Sequence, residues 1–302
     1  MTIALNSVNT NIGAQVALQS LNNTNAQLQT TQKHISTGLR VSDATDDGGA
    51  YAIAQRVRSD VGALTSANEQ LGSAKGLVGT AVSALGKISD SINTAKDLLV
   101  KIGNQSITQD SRDAYVSTFK HLVSQVADYV DGSTYNGQSL LGKTGGAAGA
   151  GTSVISSETG STISISGADN SGLASKLAGL IGATFSRSGG VDTFTPAAAG
   201  ADQTAAANAL TATTGVSSYS VALKGVADQA NETGGDSNRL DATITFNNSK
   251  IDSLNAGLGA LIDTDLSKES AKLQSLQIKQ QLGTQALSLA NQAPQSLLSL
   301  FK

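Results

Sequence analysis

Gly137-Gln-Ser-Leu-Leu-Gly-Lys-Thr144 satisfies GxxxxGK[ST], the pattern in which backbone N–H groups, a lysine and a hydroxyl cradle a nucleotide's phosphates. That chemistry needs a buried strand before the loop and a helix directly after it, whose N-terminus faces the phosphates. Here a helical pattern precedes the glycines, and Gly145-Gly-Ala-Ala-Gly-Ala-Gly151 after them does not open a helix. Asp46 and Asp47 are neighbouring carboxylates of the kind used in acid–base work. Placed just before an apolar periodic segment, they are more economically read as caps at the positive end of a helix. His34 and His121, the two histidines, have no second histidine or cysteine at ligand spacing and fall within helical patterns, as surface or interface residues do. Cysteine is absent, which removes disulfides, thiolate metal sites and cysteine catalysis together. With no tryptophan and 3% aromatics, a ring-lined enzyme pocket is not expected either. The residues offer no catalytic, cofactor or metal site, and the expected role is not enzymatic.

Charge points the same way. The net charge is -3 over 302 residues, and no clustered Lys and Arg calls for nucleic acid or an anionic membrane surface. The first residues, Met1-Thr-Ile-Ala-Leu-Asn-Ser7, have neither a positive n-region nor a continuous apolar run, so no Sec-type signal is read there. No stretch reaches the roughly 18 consecutive apolar residues of a membrane helix. On these grounds alone the chain reads as cytosolic, with a core that is aliphatic and helical.

The elements that carry the remaining signal lie at the two ends. Leu18, Leu21, Asn25, Leu28, Gln32, Ile35 and Leu39 alternate three and four residues apart, the stripe of a coiled-coil helix with polar knobs that fix register. The pattern begins at Leu5, Val8 and Ile12 and stops at Gly38, giving a helix about 50 Å long at 1.5 Å per residue. At the other end Ile262, Leu266, Glu269, Leu273, Leu276, Gln280, Gly283, Leu287 and Ala290 repeat the alternation. Two such helices are built to pair with each other and with copies of themselves.

Between them, Val57, Val61, Leu64, Leu71, Val78, Val82, Leu85, Ile92 and Leu99 mark one long helix. A flanking row, Ala67, Ala74, Ala81, Ile88, Ala95 and Ile102, gives it a second neighbour, as in a bundle. Ser106 and Gln109 read as a capping box for a helix with seam Tyr115, Phe119, Leu122, Val126 and Tyr129. Asn136-Gly137 is a hairpin signal. From Gly142 the chain turns to Gly, Ala, Ser and Thr, with alternating strand-like runs at Thr162–Ser166 and Tyr219–Leu223 and a short helix at Leu173–Ile181. Ala198–Thr214 is too low in complexity to assign. Helical patterning resumes after Gly234-Gly235. The expected fold is mainly α: a long coiled-coil helical bundle formed from both termini, with a central β-containing (α+β) inserted domain. Its expected parts are residues 1–44 with 263–302, residues 45–143 with 236–262, and an exposed insert at 144–235.

Ile35-Ser-Thr-Gly-Leu-Arg-Val-Ser-Asp-Ala-Thr-Asp-Asp-Gly-Gly-Ala-Tyr-Ala-Ile-Ala54 resembles the N-terminal segment of bacterial flagellins. Ala290-Asn-Gln-Ala-Pro-Gln-Ser-Leu-Leu-Ser-Leu-Phe-Lys302 resembles the flagellin tail, and Tyr135-Asn-Gly-Gln-Ser-Leu-Leu141 the turn after the bundle helices. The resemblance covers roughly residues 1 to 143 and 238 to 302. It implies a filament subunit that is secreted through the flagellar type III export apparatus and polymerises outside the cell into a helical homopolymer. The implied partners are copies of itself, an export chaperone, the filament cap and the hook-junction proteins. The Ser and Thr between Thr144 and Thr233 are then either sites of O-linked sugars or solvated turns and strand faces. Two alternatives stay open beside a flagellin: a hook–filament junction protein with similar terminal helices, and a surface protein whose insert binds carbohydrate.

Overall fold

In the computed structural model, backbone is described for residues 10–212 and 218–299, and side chains as far as Gln292. Leu5, Val8 and the side chains of the last ten residues lie outside that range. Among the described residues five long helices carry the chain: α1 (Ile12–Thr37), α2 (Gly48–Ile102), α3 (Gln109–Gly132) and, after the central segment, α6 (Tyr219–Ile262) and α7 (Leu266–Ser299). Between α3 and α6 come three antiparallel hairpins, β1–β2 (Thr134–Tyr135, Gln138–Ser139), β3–β4 (Thr152–Ile155, Thr162–Ile165) and β5–β6 (Thr184–Ser188, Val191–Thr195), with the short helices α4 (Leu173–Gly179) and α5 (Ala201–Thr211). The contacts divide the chain into two compact units, Met1–Val61 with Asp252–Lys302, and Gly62–Ile251.

Local signals set many of the boundaries. Gly38 ends α1 in the left-handed region at φ 71°, donating its N–H to His34 O, a conformation that costs a glycine little. Asp47 caps α2 by accepting from Ala50 N at 3.0 Å. The cap of α3 is Thr108, whose hydroxyl accepts from Ser111 N, and not Ser106: the helix starts at Gln109, so only Thr108 stands where the orphan donors point. Asn136 (φ 50°) and Gly137 (φ 78°) form the two-residue turn of β1–β2, both in the left-handed region this hairpin requires.

The larger unit has a closed core. On α2 Leu64, Leu71, Val78, Leu85, Ile92 and Leu99 are buried, together with the flanking row from Ala67 to Ile102. Val57 and Val61 are half-buried in the smaller unit. Val82 is 39% exposed, because it falls on the outer side of the helix between two buried rows. On α3 the buried stripe is Val116, Phe119, Val123, Val126 and Val130, so Tyr115, Leu122 and Tyr129 form a half-buried shoulder and the stripe is centred one residue later than expected. The tyrosines of the shoulder have polar neighbours: Gln125 Nε2 donates to the Tyr129 hydroxyl at 3.1 Å, and Lys101 Nζ lies 5.5 Å from the centre of the Tyr115 ring. The Gly/Ser/Thr-rich segment does not pack by itself. Leu141, Ile165, Leu177, Phe185 and Ala206 belong to the same hydrophobic cluster as Leu85 and Phe119. Arg187 on β5 clamps this segment to α3, reaching Asp128 at 2.8 Å and Asp131 at 3.1 Å while also pairing with Asp192 on β6.

Two central assignments differ from the sequence expectation. Tyr219–Leu223 opens α6 rather than a strand: Tyr219, Ala222 and Val226 are buried at helical spacing, and the helix runs through Gly234-Gly235 without a break. The hairpin β5–β6, turning at Gly189-Gly190, has no counterpart among the expected elements.

Candidate assembly interface

The GxxxxGK[ST] segment is committed to holding the fold. Thr144 is 5% exposed, its N–H donates to Asp131 Oδ1 at 2.6 Å and its hydroxyl to Ala127 O, while turns rather than a helix follow it. Asn231-Glu-Thr233, which has the Asn-x-Thr spacing of an N-glycosylation acceptor, lies inside α6 with Thr233 buried, its hydroxyl donating to Gln229 O. Among the described residues no cluster of three His, Cys, Asp or Glu side chains is arranged to hold a metal ion. None of the helices among them is long and apolar enough to cross a membrane. Most of the seam residues expected from the heptad spacing lie in the smaller unit.

There α1 and α7 run antiparallel, fixed by three polar contacts spread along the pair. Asn11 Nδ2 donates to Ala290 O at 2.7 Å, Gln280 Nε2 to Asn25 Oδ1 at 2.8 Å, and His34 Nδ1 meets Glu269 Oε1 at 3.2 Å. On α7 the residues turned toward α1 are Glu269, Leu273, Leu276, Gln280, Gly283, Leu287 and Ala290. Gly283 permits the close approach: a Cβ there would stand 3.2 Å from Leu21 Cδ1. On α1 the facing row is Ala14, Ala17, Leu21, Thr24, Leu28, Thr31 and Ile35. Leu21, Leu28 and Ile35 take part as the spacing suggests, and Asn25 sits beside them with its amide bonded. Leu18 (47% exposed) and Gln32 point away, as does Leu266 (50% exposed) on α7. The second row of α1 is thus displaced by one residue, from Leu18, Asn25 and Gln32 to Ala17, Thr24 and Thr31. Small side chains there let the helices approach, and Thr24 satisfies its own hydroxyl on Ser20 O.

Leu39 and Ile262 join a separate apolar knot with Val41, Ala50 and Ala54 where the α1–α2 connection meets the α6–α7 turn. Backbone bonds tie it: Arg40 N to Ile262 O at 2.6 Å and Thr264 N to Gly38 O at 3.0 Å. Lys33 closes the α1–α2 connection by pairing with Asp43 at 2.6 Å and Asp46 at 2.9 Å. The lysine ammonium, helped by Thr45, holds the Asp43 carboxyl down to about 2, and the same ammonium with Ser42 N–H holds Asp46 well below the usual carboxylate range. The Asp46–Asp47 pair is thereby accounted for as a loop clasp and a helix cap.

A second apolar ridge was not among the residues picked out by heptad spacing. Ile278, Leu282 and Leu289 on α7 are 58%, 58% and 70% exposed. At about 100° per residue they fall within about 40° of one another, on the side of the helix turned away from Leu273, Leu276 and Leu287. Their separation by four and seven residues was the available signal. Ile12 and Val16 are exposed on the outer side of α1 in the same way. Each terminal helix therefore buries one stripe in its neighbour and leaves apolar side chains on the other, the condition that marks a site for a further partner.

Comparison with known proteins agrees with this geometry. Residues 8–145 match the bacterial flagellin N-terminal helical region, and residues 217–301 the bacterial flagellin C-terminal helical region. The second match covers the whole of α6 and α7. Flagellin FljM of Caulobacter vibrioides is 35% identical, covering 99% of this chain and 100% of its own length. A flagellin of Brucella melitensis is 33% identical over 98% of this chain and 99% of its own, and the flagellar filament 33 kDa core protein of Treponema phagedenis 27% identical over 98% and 99%. With two paired terminal helices, an outward apolar ridge and full-length relatives of this kind, the chain belongs to the bacterial flagellin family.

Proposed function

We propose that the chain is a secreted subunit of the bacterial flagellar filament that polymerises through α1 and α7 into a helical homopolymer. The observation that carries this is the two-sided apolar character of α7, one stripe seated on α1 and one facing outward. A contact between two different surfaces, repeated head to tail without closure, generates an open helical polymer rather than a ring. In this reading residues 1–44 and 263–302 build the inner part of the filament and 144–235 faces away from it. Leu21, Asn25, Leu28 and Ile35 with Leu273, Leu276, Gln280, Leu287 and Ala290 set the pair. Leu18, Gln32 and Leu266, exposed on one pair, meet the neighbouring copy. Family membership supports export through the flagellar type III apparatus with a chaperone, and capping and junction proteins at the filament's ends.

Removing residues 288–302 tests the reading. The truncated chain is expected to keep the cooperative thermal unfolding of its Gly62–Ile251 unit and to lose growth on filament seeds. Growth at the full-length rate, followed by electron microscopy, would overturn the proposal.

A further inference from the structure

Where the first turns of α3 meet the end of β6 and the start of α5, the Gly62–Ile251 unit holds a cleft of about 430 Å³. That volume lies in the range of about 300–1,000 Å³ found for small-molecule sites. Gln109, Asp113, Ser117 and Lys120 come from one face of α3, spaced four, four and three residues apart, and all four are exposed. Phe194 of β6, half-buried, supplies an aromatic ring. Asp202 of α5 also lines the cleft and is only 5% exposed. Its Oδ1 accepts from Gln203 N at 2.8 Å, and no second hydrogen bond or ion pair reaches its carboxylate among the described residues. A place in the first turn of α5 accounts for the sign of its charge, but not for the oxygen left over. A carboxylate so far from water normally finds donors for both oxygens.

We propose that this cleft binds a single pyranose sugar, with Asp202 accepting from a sugar hydroxyl and Phe194 lying against the sugar's carbon-bound hydrogens. The lining selects that chemistry. Asp113 and Asp202 together disfavour an anion, and a compact cation matches them but is opposed by Lys120 and makes no use of Ser117. A neutral polyol suits all four, because each hydroxyl both donates and accepts: it donates to the carboxylates and accepts from the ammonium. Gln109 Nε2 donates to Asp113 Oδ1 at 2.8 Å, which holds that carboxylate in place before a ligand arrives. An aromatic face carries partial negative charge and favours the C–H bonds of a sugar ring, whereas an inorganic ion has no apolar face to offer it. The site needs only the fold of the larger unit, so it stands apart from the filament reading.

Titration of the monomeric full chain with D-glucose, D-galactose, D-mannose and N-acetyl-D-glucosamine, followed by NMR, tests this. At least one of the four is expected to shift the Phe194 ring and Gln203 amide signals saturably, with a Kd of about millimolar order. Asp202→Asn keeps an acceptor for the Gln203 N–H and is expected to weaken that binding at least about tenfold, as loss of a hydrogen bond to a charged group does. Phe194→Leu is expected to weaken it at least about threefold. Ser117→Ala, on the exposed face of α3, leaves the fold intact and is expected to cost about threefold, so the test stands even where Asp202→Asn does not fold. No saturable shift with any of the four sugars overturns the proposal. Tighter binding of putrescine or of acetate than of every sugar also overturns it, because a charged ligand would then own the cleft. Full sugar affinity in all the folded variants overturns the site.

Discussion

In the Gly62–Ile251 unit, Leu71, Leu85, Ile92, Leu99 and Phe119 are each buried to within 2% of complete, whereas among the described side chains of α1 and α7 only Thr31, His34 and Leu276 are buried. The two regions use the same alternation of three and four residues. They differ in how many neighbours each stripe finds inside one chain. In the larger unit α2 presents two rows and both are covered, by α3, by the hairpins and by α6. The terminal pair is two helices thick, so each covers one side of the other and leaves the opposite side bare. The pair also includes polar atoms without a hydrogen-bond partner among the described residues: Thr31 Oγ1 and His34 Nε2 are buried in this way, while Glu269 Oε2 meets the Lys272 ammonium at 3.6 Å. Such atoms cost stability. What separates a finished domain from an assembly surface here is coverage, not the strength of the apolar pattern.

Phe119→Ala is the substitution with the largest expected effect. It empties the centre of the covered core and should lower the stability of the larger unit by about 3–5 kcal/mol, read as a fall in its thermal midpoint. The same change should leave the helical pairing of α1 with α7 intact by NMR. Loss of both together would erase the distinction between the regions. Leu276→Ala is the mirror experiment. It should weaken the terminal pair by about 2–3 kcal/mol, raising the critical concentration for seeded growth, while the thermal midpoint of the larger unit stays fixed. A fall in that midpoint would show that the pair supports the core.

The smallest effect sharpens the comparison by pH. The folded-state pKa of Asp43 is depressed to about 2, so its contribution is present above the ordinary carboxylate value of about 4 and is lost as pH falls through about 2. An NMR titration should find the Asp43 midpoint near that value, and Lys33→Met should return it toward the usual carboxylate range. An unchanged midpoint in Lys33→Met would remove the lysine as the cause.

How much of this was legible in the residues depends on what each stripe contains. On α7 the phase was readable because leucines and a glutamine mark it from Leu273 to Leu287. On α1 the stronger apolar residue, Leu18, drew the second row to itself. The row that packs is Ala17, Thr24 and Thr31, whose small size matters to the helix spacing and contributes little hydrophobic signal. The same competition displaced α3, where Tyr115 and Leu122 outweigh Val116 and Val123 in bulk. Near Tyr219 a five-residue window could not separate period 2 from period 3.6, and Gly234-Gly235 read as a break although the surrounding contacts carry the helix through it. The β5–β6 hairpin was hidden in a stretch poor in aliphatic residues, where Phe185 alone is buried in the strand pair. The outward ridge of α7 gives a weaker signal than the covered stripe, because Gln285 interrupts its aliphatic residues Ile278, Leu282 and Leu289.

The bond between Asn25 and Gln280 bears on how a growing polymer avoids mistakes. In an antiparallel pair, a slip of seven residues keeps the aliphatic positions in step but sets the Asn25 amide against Leu273 or Leu287. The misplaced amide would then be stripped of water with nothing to bind, so a subunit whose two ends have paired out of register holds a weaker terminal pair than the correctly paired one.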